Sequence, residues 1–161
     1  MGVYSISFQL GATAEVSMEE ANAFVQDFLS STQDIDGFGI FVNNISASLP
    51  MFVPGVGVGL GIYSGWSTGF GFAAIGTMAP ALAEIEPLSI LYYSPYGAME
   101  LVAYSIAMSR SFHVVFSLAK KKNPKSLIKI SLIEIGIAVA LLAIAGYLEE
   151  YLIAMAQNPP V

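Results

Sequence analysis

The sequence predicts an all-α fold, a polytopic bundle of four to five transmembrane helices with an amphipathic helix on its outer face. Hydrophobic residues make up 55% of the chain and charged residues 11%, whereas soluble domains are about a quarter charged. Residues 37–83 carry no charge, Glu100 is the only charge in 87–109, and Glu134 is the only one in 130–148. Because a span needs roughly 20 apolar residues, these blocks hold about four spans.

The 161 residues predict a single membrane domain. Residues 1–14 are apolar but too short to span, and they lack the basic start of a secretory signal. They fit the outer half of a span, a re-entrant plug, or a remnant left by a start codon placed too late. Residues 17–31 predict an outer amphipathic helix, since Ser17 and Glu20 form a capping-box pattern. Apolar residues recur at helical spacing along one face of this helix, and that face is expected to pack on the bundle or on a partner protein.

The remaining residues, 37–157, predict the helix bundle. The first span carries two prolines, so its freed carbonyls need cover from neighbouring helices. The third span is expected to break near Pro95, and the fourth exceeds the hydrocarbon thickness and must tilt or protrude. The predicted spans are 38–62, 65–83, 88–118 and 126–155.

Glycines recur every four residues at Gly57, Gly61, Gly65 and Gly69. Small residues at this spacing let helices approach closely in lipid, so we expect a packing stripe. The alternative is a substrate path lined by backbone. A turn is expected near 63–68, which would divide the stripe between two helices.

Glu100 is the most informative polar residue. An ionisable group in a span costs several kcal/mol unless it is paired, hydrogen bonded or protonated. Tyr96 and Tyr104 lie one helical turn to either side, and Asn43 or Asn44 could also donate. Three roles stay open: a structural hydrogen-bond hub, a contact with a partner, and a proton or cation site. Pro95 and Gly97 are expected to interrupt the helix so that Glu100 faces protein.

All basic residues fall in one loop, 110–129, comprising Arg110, Lys120, Lys121, Lys122, Lys125 and Lys129. Lys and Arg collect in cytoplasmic loops, which places the acidic segments 15–36, 84–86 and 149–161 outside. Glu134 is expected to pair with Lys125 or Lys129, and His113 to lie at the membrane boundary. Nucleic-acid binding is not expected, because no second basic patch exists.

Reactive groups are few. The chain has no cysteine and one histidine, which excludes thiolate chemistry and makes a metal site built from protein ligands alone improbable. We therefore predict no catalytic, cofactor-binding or metal-binding residue, and no enzymatic activity by the chain itself.

Three stretches resemble the stage II sporulation protein M-like family. They are "IFVNNI", the glycine-rich "GVGLGIYSGWSTGFGFAAIG", and "YSPYGAMELVAYSIA" with its Pro-x-Gly-x-x-Glu-x-x-Ala pattern. The resemblance covers about residues 35–150. Pro95, Gly97, Glu100 and Ala103 match the family pattern, whereas its histidine is Tyr96 here and its asparagine before glycine is Thr68. The family also usually begins with a complete span.

The resemblance implies a multi-span protein without known enzymatic activity, whose sporulation members act as scaffolds in a membrane complex. The predicted function is therefore a non-catalytic scaffold or accessory subunit of a larger complex, which could itself be an enzyme complex. Its partners would be other membrane subunits and the lipid bilayer. The alternative is a small transporter or channel that uses the carboxylate of Glu100 at the broken helix.

Overall fold

A computed structural model describes residues 1–32, 35–79, 81, 84–121 and 124–157, apart from the side chains of 31, 32 and 124–126. Within these ranges every regular element is a helix, which confirms the all-α class. A short 3₁₀ helix, Leu49–Phe52, lies between the third and fourth α-helices. The α-helices are α1 Gly2–Ala12, α2 Met18–Thr32, α3 Gly37–Ser48, α4 Gly57–Met78, α5 Pro87–Tyr93, α6 Pro95–Ala119 and α7 Pro124–Gln157.

Helix α2 begins with the predicted capping box. The hydroxyl and backbone N–H of Ser17 donate to Glu20 Oε2 at 2.6 and 3.0 Å, and the N–H of Glu20 donates back to the Ser17 hydroxyl. The helix packs on α4, where Phe24 meets Phe70 edge to face at 5.9 Å and Ala21 is fully buried. The prediction of an amphipathic helix at 17–31 is confirmed.

The chain breaks between α3 and α4 rather than inside the glycine-rich stretch. Pro50 lies in the 3₁₀ helix, and Gly55 has a left-handed φ of 85° that favours glycine. The carbonyl of Val53 in this break accepts from the backbone N–H groups of Val56 and Gly57 and from the hydroxyl of Ser111 at 2.7 Å. Helix α6 therefore covers the break through Ser111.

Two predicted boundaries are consequently wrong. Residues 38–62 are not one helix, and no turn divides 63–68, because α4 is continuous from Gly57. The second span therefore starts eight residues before the predicted Gly65. Prolines and a left-handed glycine end α3, whereas the glycines of 63–69 stay helical because they pack against neighbouring helices. The later boundaries are close to those predicted, with the break at Pro95 and α7 extending two residues beyond 126–155 at each end.

Contacts define two ends of the bundle. At one end, which we call the acidic end, Gly37 touches Tyr147 and Glu150 of α7. At the opposite end, the basic end, Phe52 and Pro54 share a groove with the C-terminal part of α6 and the first turns of α7. Residues 37–54 thus run antiparallel to α7. Helix α4 starts at the basic end, where Gly57 touches Met51 and Ser111, so α3, α4, α6 and α7 alternate in direction.

The glycine stripe lies on one face of α4 and is buried along its length. A Cβ at Gly57 would meet the carbonyl of Met51, and one at Gly61 would meet the side chain of Met108. At Gly65 and Gly69 the obstacle is the backbone of α1, at Tyr4 and Phe8. The stripe therefore belongs to a single helix that packs on α6 and the 3₁₀ helix with one half and on α1 with the other.

Helix α1 runs parallel to α4, with Tyr4 beside Gly65 and Phe8 beside Gly69. Its 11 residues extend about 16 Å, which is about half the thickness of a hydrocarbon core. Which of the three expectations for residues 1–14 applies stays a prediction, since each is compatible with a short helix packed on α4.

Two of the described helices are long and apolar enough to cross a membrane, Pro95–Ala119 and the Leu127–Gln157 part of α7. Helix α4 has 22 residues and no charge, but seven of its residues are glycines, which add little apolar surface.

Candidate functional site

The corner between α5 and α6 positions Glu100. Pro95 occupies the first turn of α6, and the Ser94 hydroxyl caps this helix by accepting from the N–H of Gly97 at 3.0 Å. The same hydroxyl donates to the carbonyl of Ile90 at 2.6 Å. A Cβ at Gly97 would collide with Ser94 Oγ and lie 2.8 Å from the Ile90 carbonyl. Gly97 thus allows the corner to close, and Glu100 follows within the next turn.

The carboxylate of Glu100 binds α3. Asn44 Nδ2 donates to Glu100 Oε1 at 2.5 Å, and Asn44 itself is buried. The sequence-based suggestion of an asparagine partner is therefore correct for Asn44. Because Asn44 and Glu100 are 56 residues apart, this bond joins two helices that are remote in the chain.

The neighbouring tyrosines take other positions. No hydrogen bond joins Glu100 to Tyr96 or Tyr104, both of which lie in the described part of the chain. Tyr104 is buried and its ring lies 5.4 Å from the ring of Tyr4 on α1, whereas Tyr96 is half-buried. Glu149 of α7, which sequence reasoning did not connect with this site, lies close enough to act electrostatically on Glu100 and Tyr96.

A polar cleft of about 360 Å³ opens beside this hydrogen bond, between α3 and α4. Asn43 is exposed and lines the cleft together with Asn44, and Tyr104 contributes from α6. Its other polar lining groups are hydroxyls: Ser46, Tyr63, Ser64, Ser67 and Thr68. The cleft has no charged lining residue, so its chemistry is that of neutral hydrogen-bond donors and acceptors.

An ion pair joins α6 to α7 nearer the basic end. The guanidinium of Arg110 donates from Nε and Nη2 to the two carboxylate oxygens of Glu134, with only 11% and 27% of the two side chains exposed. The prediction that Glu134 pairs with a nearby lysine is wrong as to the partner. Tertiary packing brings Arg110 to Glu134 across 24 residues; Lys129 is exposed, and the side chain of Lys125 lies outside the described residues.

The other basic residues gather at the basic end. Lys120 and Lys121 are exposed, and the ammonium of Lys120 lies 4.1 Å above the ring of Phe116. Lys122 lies outside the described residues. His113 is exposed and meets Phe112 edge to face.

Serines contribute contacts that sequence reasoning missed. Ser7 donates to the carbonyl of Ile62 at 2.6 Å, and Ser5 shares a 2.7 Å hydrogen bond with Tyr92. These bonds attach α1 to α4 and to α5, and the bond from Ser111 attaches α6 to the break between α3 and α4. Their burial at helix contacts is visible only in the fold, because serine is equally common in exposed loops.

Within the described ranges, no group of three His, Asp or Glu side chains could hold a metal ion. The prediction that the chain has no metal, cofactor or catalytic residue stays a prediction.

The described residues form an all-helical protein, and two of its helices are long and apolar enough to cross a membrane. The sequence profile of stage II sporulation protein M matches residues 1–152, a wider range than the motifs alone indicated. The chain belongs to this family. No curated protein and no solved structure matches it.

Proposed function

We propose that the chain is a multi-pass protein of the cell membrane with four crossings. They are residues 37–54, α4, α6 and α7, with α1 packed as a half-length fifth element. The alternation in direction between the acidic and basic ends supports this assignment. So does length, since the 22 residues of α4 extend about 33 Å, close to the hydrocarbon thickness.

The basic segment 110–129 was predicted to be a loop, but it comprises the end of α6, a short connection and the start of α7. This end of the bundle then lies on the cytoplasmic side, because Lys and Arg concentrate there. The acidic segments 15–36, 84–86 and 149–161 lie outside. The contact of Gly37 with Glu150 supports this arrangement, since it brings the start of α3 and the end of α7 to the same end of the bundle.

We further propose that the protein is a non-catalytic scaffold or accessory subunit of a larger membrane complex. One observation carries the proposal: three partly buried ionisable groups of the crossing helices, Glu100, Arg110 and Glu134, bind other helices of the same chain. Glu100 accepts from Asn44, and Arg110 pairs with Glu134. These charges hold the bundle together, so its exposed apolar helix faces remain for lipid and neighbouring subunits.

The test is purification of the tagged chain from its own membranes in a mild detergent, followed by native mass spectrometry. We expect stoichiometric membrane-protein partners that persist in Glu100→Gln, because the amide oxygen of glutamine still accepts from Asn44. The matched variant Glu100→Leu removes the acceptor and should weaken both the fold and the complex. A monomer without partners in the wild-type protein would contradict the proposal.

The polar cleft favours a second candidate, a small transporter or channel. Asn44 both lines the cleft and donates a hydrogen bond to Glu100. A solute bound to Asn44 in the cleft would therefore be coupled to the carboxylate through this hydrogen bond. In liposomes this function predicts solute or proton flux that Glu100→Gln abolishes. Flux that is absent from wild type, or unchanged in Glu100→Gln, would count against it.

A further inference from the structure

An apolar groove lies at the basic end of the bundle, with a volume of about 310 Å³. The C-terminal part of α6 forms one wall and the first turns of α7 form the other, with the break after the 3₁₀ helix at its base. The lining residues that matter here are Phe52, Pro54, Leu118, Leu127, Ser131 and Leu132. In a bilayer such a groove is open to hydrocarbon.

The groove has a small volume compared with a protein helix. A helix about 10 Å across has a cross-section of about 80 Å², so 310 Å³ would hold only about 4 Å of it, less than one turn. A single acyl chain is much thinner than a helix, so a longer stretch of it fits in the same volume. The dimensions therefore favour a lipid tail over a partner helix.

Lysines lie within three residues of groove-lining residues on both walls. Lys120 and Lys121 follow the lining residue Leu118, and Lys129 follows the lining residue Ile128. All three lysines are exposed, and the position of Lys120 is fixed by its contact with the Phe116 ring.

Negative charge is scarce in the same region. No Asp or Glu lies between Glu100 and Glu134 in the sequence, and Glu134 is bound to Arg110. The lysines thus have no carboxylate neighbour along this part of the chain, so they are available to an anionic group from outside it.

We propose that this groove is a binding site for an anionic phospholipid. One acyl chain lies against Leu118, Leu127 and Leu132, and the phosphate headgroup is bound by Lys120 and Lys121. Basic residues at the cytoplasmic ends of membrane helices attract such headgroups. The inference rests on the membrane placement proposed above and not on the role as a subunit.

The headgroup preference is tested on the full chain in mild detergent. Phosphatidylglycerol and phosphatidylcholine with identical acyl chains are added, and bound lipid is counted by native mass spectrometry. Each lysine near an anionic lipid contributes about fivefold in affinity. The double variant Lys120→Gln/Lys121→Gln should therefore bind phosphatidylglycerol about 30-fold less tightly and phosphatidylcholine unchanged.

A matched control lowers the net charge equally at the other end. Asn22→Asp/Gln26→Glu changes two exposed residues of α2 and should leave lipid binding unchanged. Equal binding of the two lipids by the wild-type protein would overturn the proposal, as would equal losses in the lysine variant and this control.

Occupation of the groove is tested separately. Ser131→Phe fills the groove, whereas Ile130→Phe places the same ring at an exposed position one residue away that does not line it. Retention of phosphatidylglycerol should fall at least about fivefold in Ser131→Phe only, because the ring removes the contact of more than one methylene group of the acyl chain. Equal retention by the two variants, or a protein chain found in the groove by crosslinking, would overturn the proposal. If the chain did not insert into bilayers at all, the proposed membrane crossings would be contradicted, and the lipid site with them.

Discussion

Two substitutions of the same type in α4 are expected to change stability in opposite directions. At Gly69 an added Cβ would collide with the carbonyl oxygen of Phe8 and lie 2.7 Å from the backbone N of Ala12. At Gly59 nothing lies within 4 Å of the added atom. Gly69→Ala and Gly59→Ala therefore isolate the effect of close helix approach from the effect of removing a glycine.

The magnitudes follow from two terms. Replacing glycine by alanine inside a helix stabilises it by about 1 kcal/mol, and this term is shared by both variants. Overpacking costs about 1–3 kcal/mol, at the upper end for Gly69 because the obstacle is the backbone of α1, which cannot change rotamer. We expect the free energy of unfolding to rise by about 1 kcal/mol in Gly59→Ala and to fall by about 2 kcal/mol in Gly69→Ala.

The assay is the free energy of unfolding, measured by circular dichroism as a denaturing detergent is titrated into micelles. Amide hydrogen exchange adds a local measurement, since displaced α1 amides should exchange faster in Gly69→Ala only. If Gly69→Ala were as stable as Gly59→Ala, with α1 exchange unchanged, α1 would not be held by contact with the glycine stripe. Gly136→Ala on α7, where the added Cβ also meets nothing within 4 Å, is a second control.

Two further predictions concern charged groups. Each of the single variants Arg110→Met and Glu134→Leu should lower the free energy of unfolding by about 2–4 kcal/mol, because it leaves a partly buried charge unpaired. The double variant should recover at least about 1 kcal/mol of the summed loss. Strictly additive losses in a double-mutant cycle would show that the two charges do not stabilise each other. The hydrogen bonds from Ser17 lower the pKa of Glu20, so their contribution to α2 is present above the ordinary pKa of a glutamate and is lost as pH falls through the lowered pKa. The protection of amides at the start of α2, measured against the intrinsic exchange rate at each pH, should therefore fall on acidification in the wild-type protein. Glu20→Gln, which cannot titrate, should show no such fall.

Local sequence signals predicted several elements well. Proline at position 95 and the capping pattern at Ser17 act through backbone geometry and neighbouring residues, and the structure has both features where expected. The glycine spacing predicted a buried stripe because close packing depends mainly on the absence of side chains. These features are local, so a single sequence contains the information needed to find them.

The wrong predictions concern residues for which the sequence offers more than one conformation or interaction partner. Residues 63–69 contain glycine and hydroxyl groups, which are typical of turns, and only contact with α1 and the polar cleft explains why they remain helical. Glu134 has lysines nearby in sequence, yet it binds Arg110. Sequence distance is a poor guide to the partner of a charge between helices, because helix packing brings together residues from different crossings.

The chemistry of Glu100 separates the two candidate functions. A hydrogen bond from Asn44 needs only an oxygen acceptor, and glutamine provides one without the cost of placing an ionisable group between apolar helices. A purely structural role therefore predicts that Glu100→Gln is at least as stable as the wild-type protein and keeps its partners. A transport role predicts the same stability with loss of flux. Measuring stability, partner retention and flux on this one variant thus distinguishes a carboxylate that holds α3 to α6 from one that also exchanges a proton or cation.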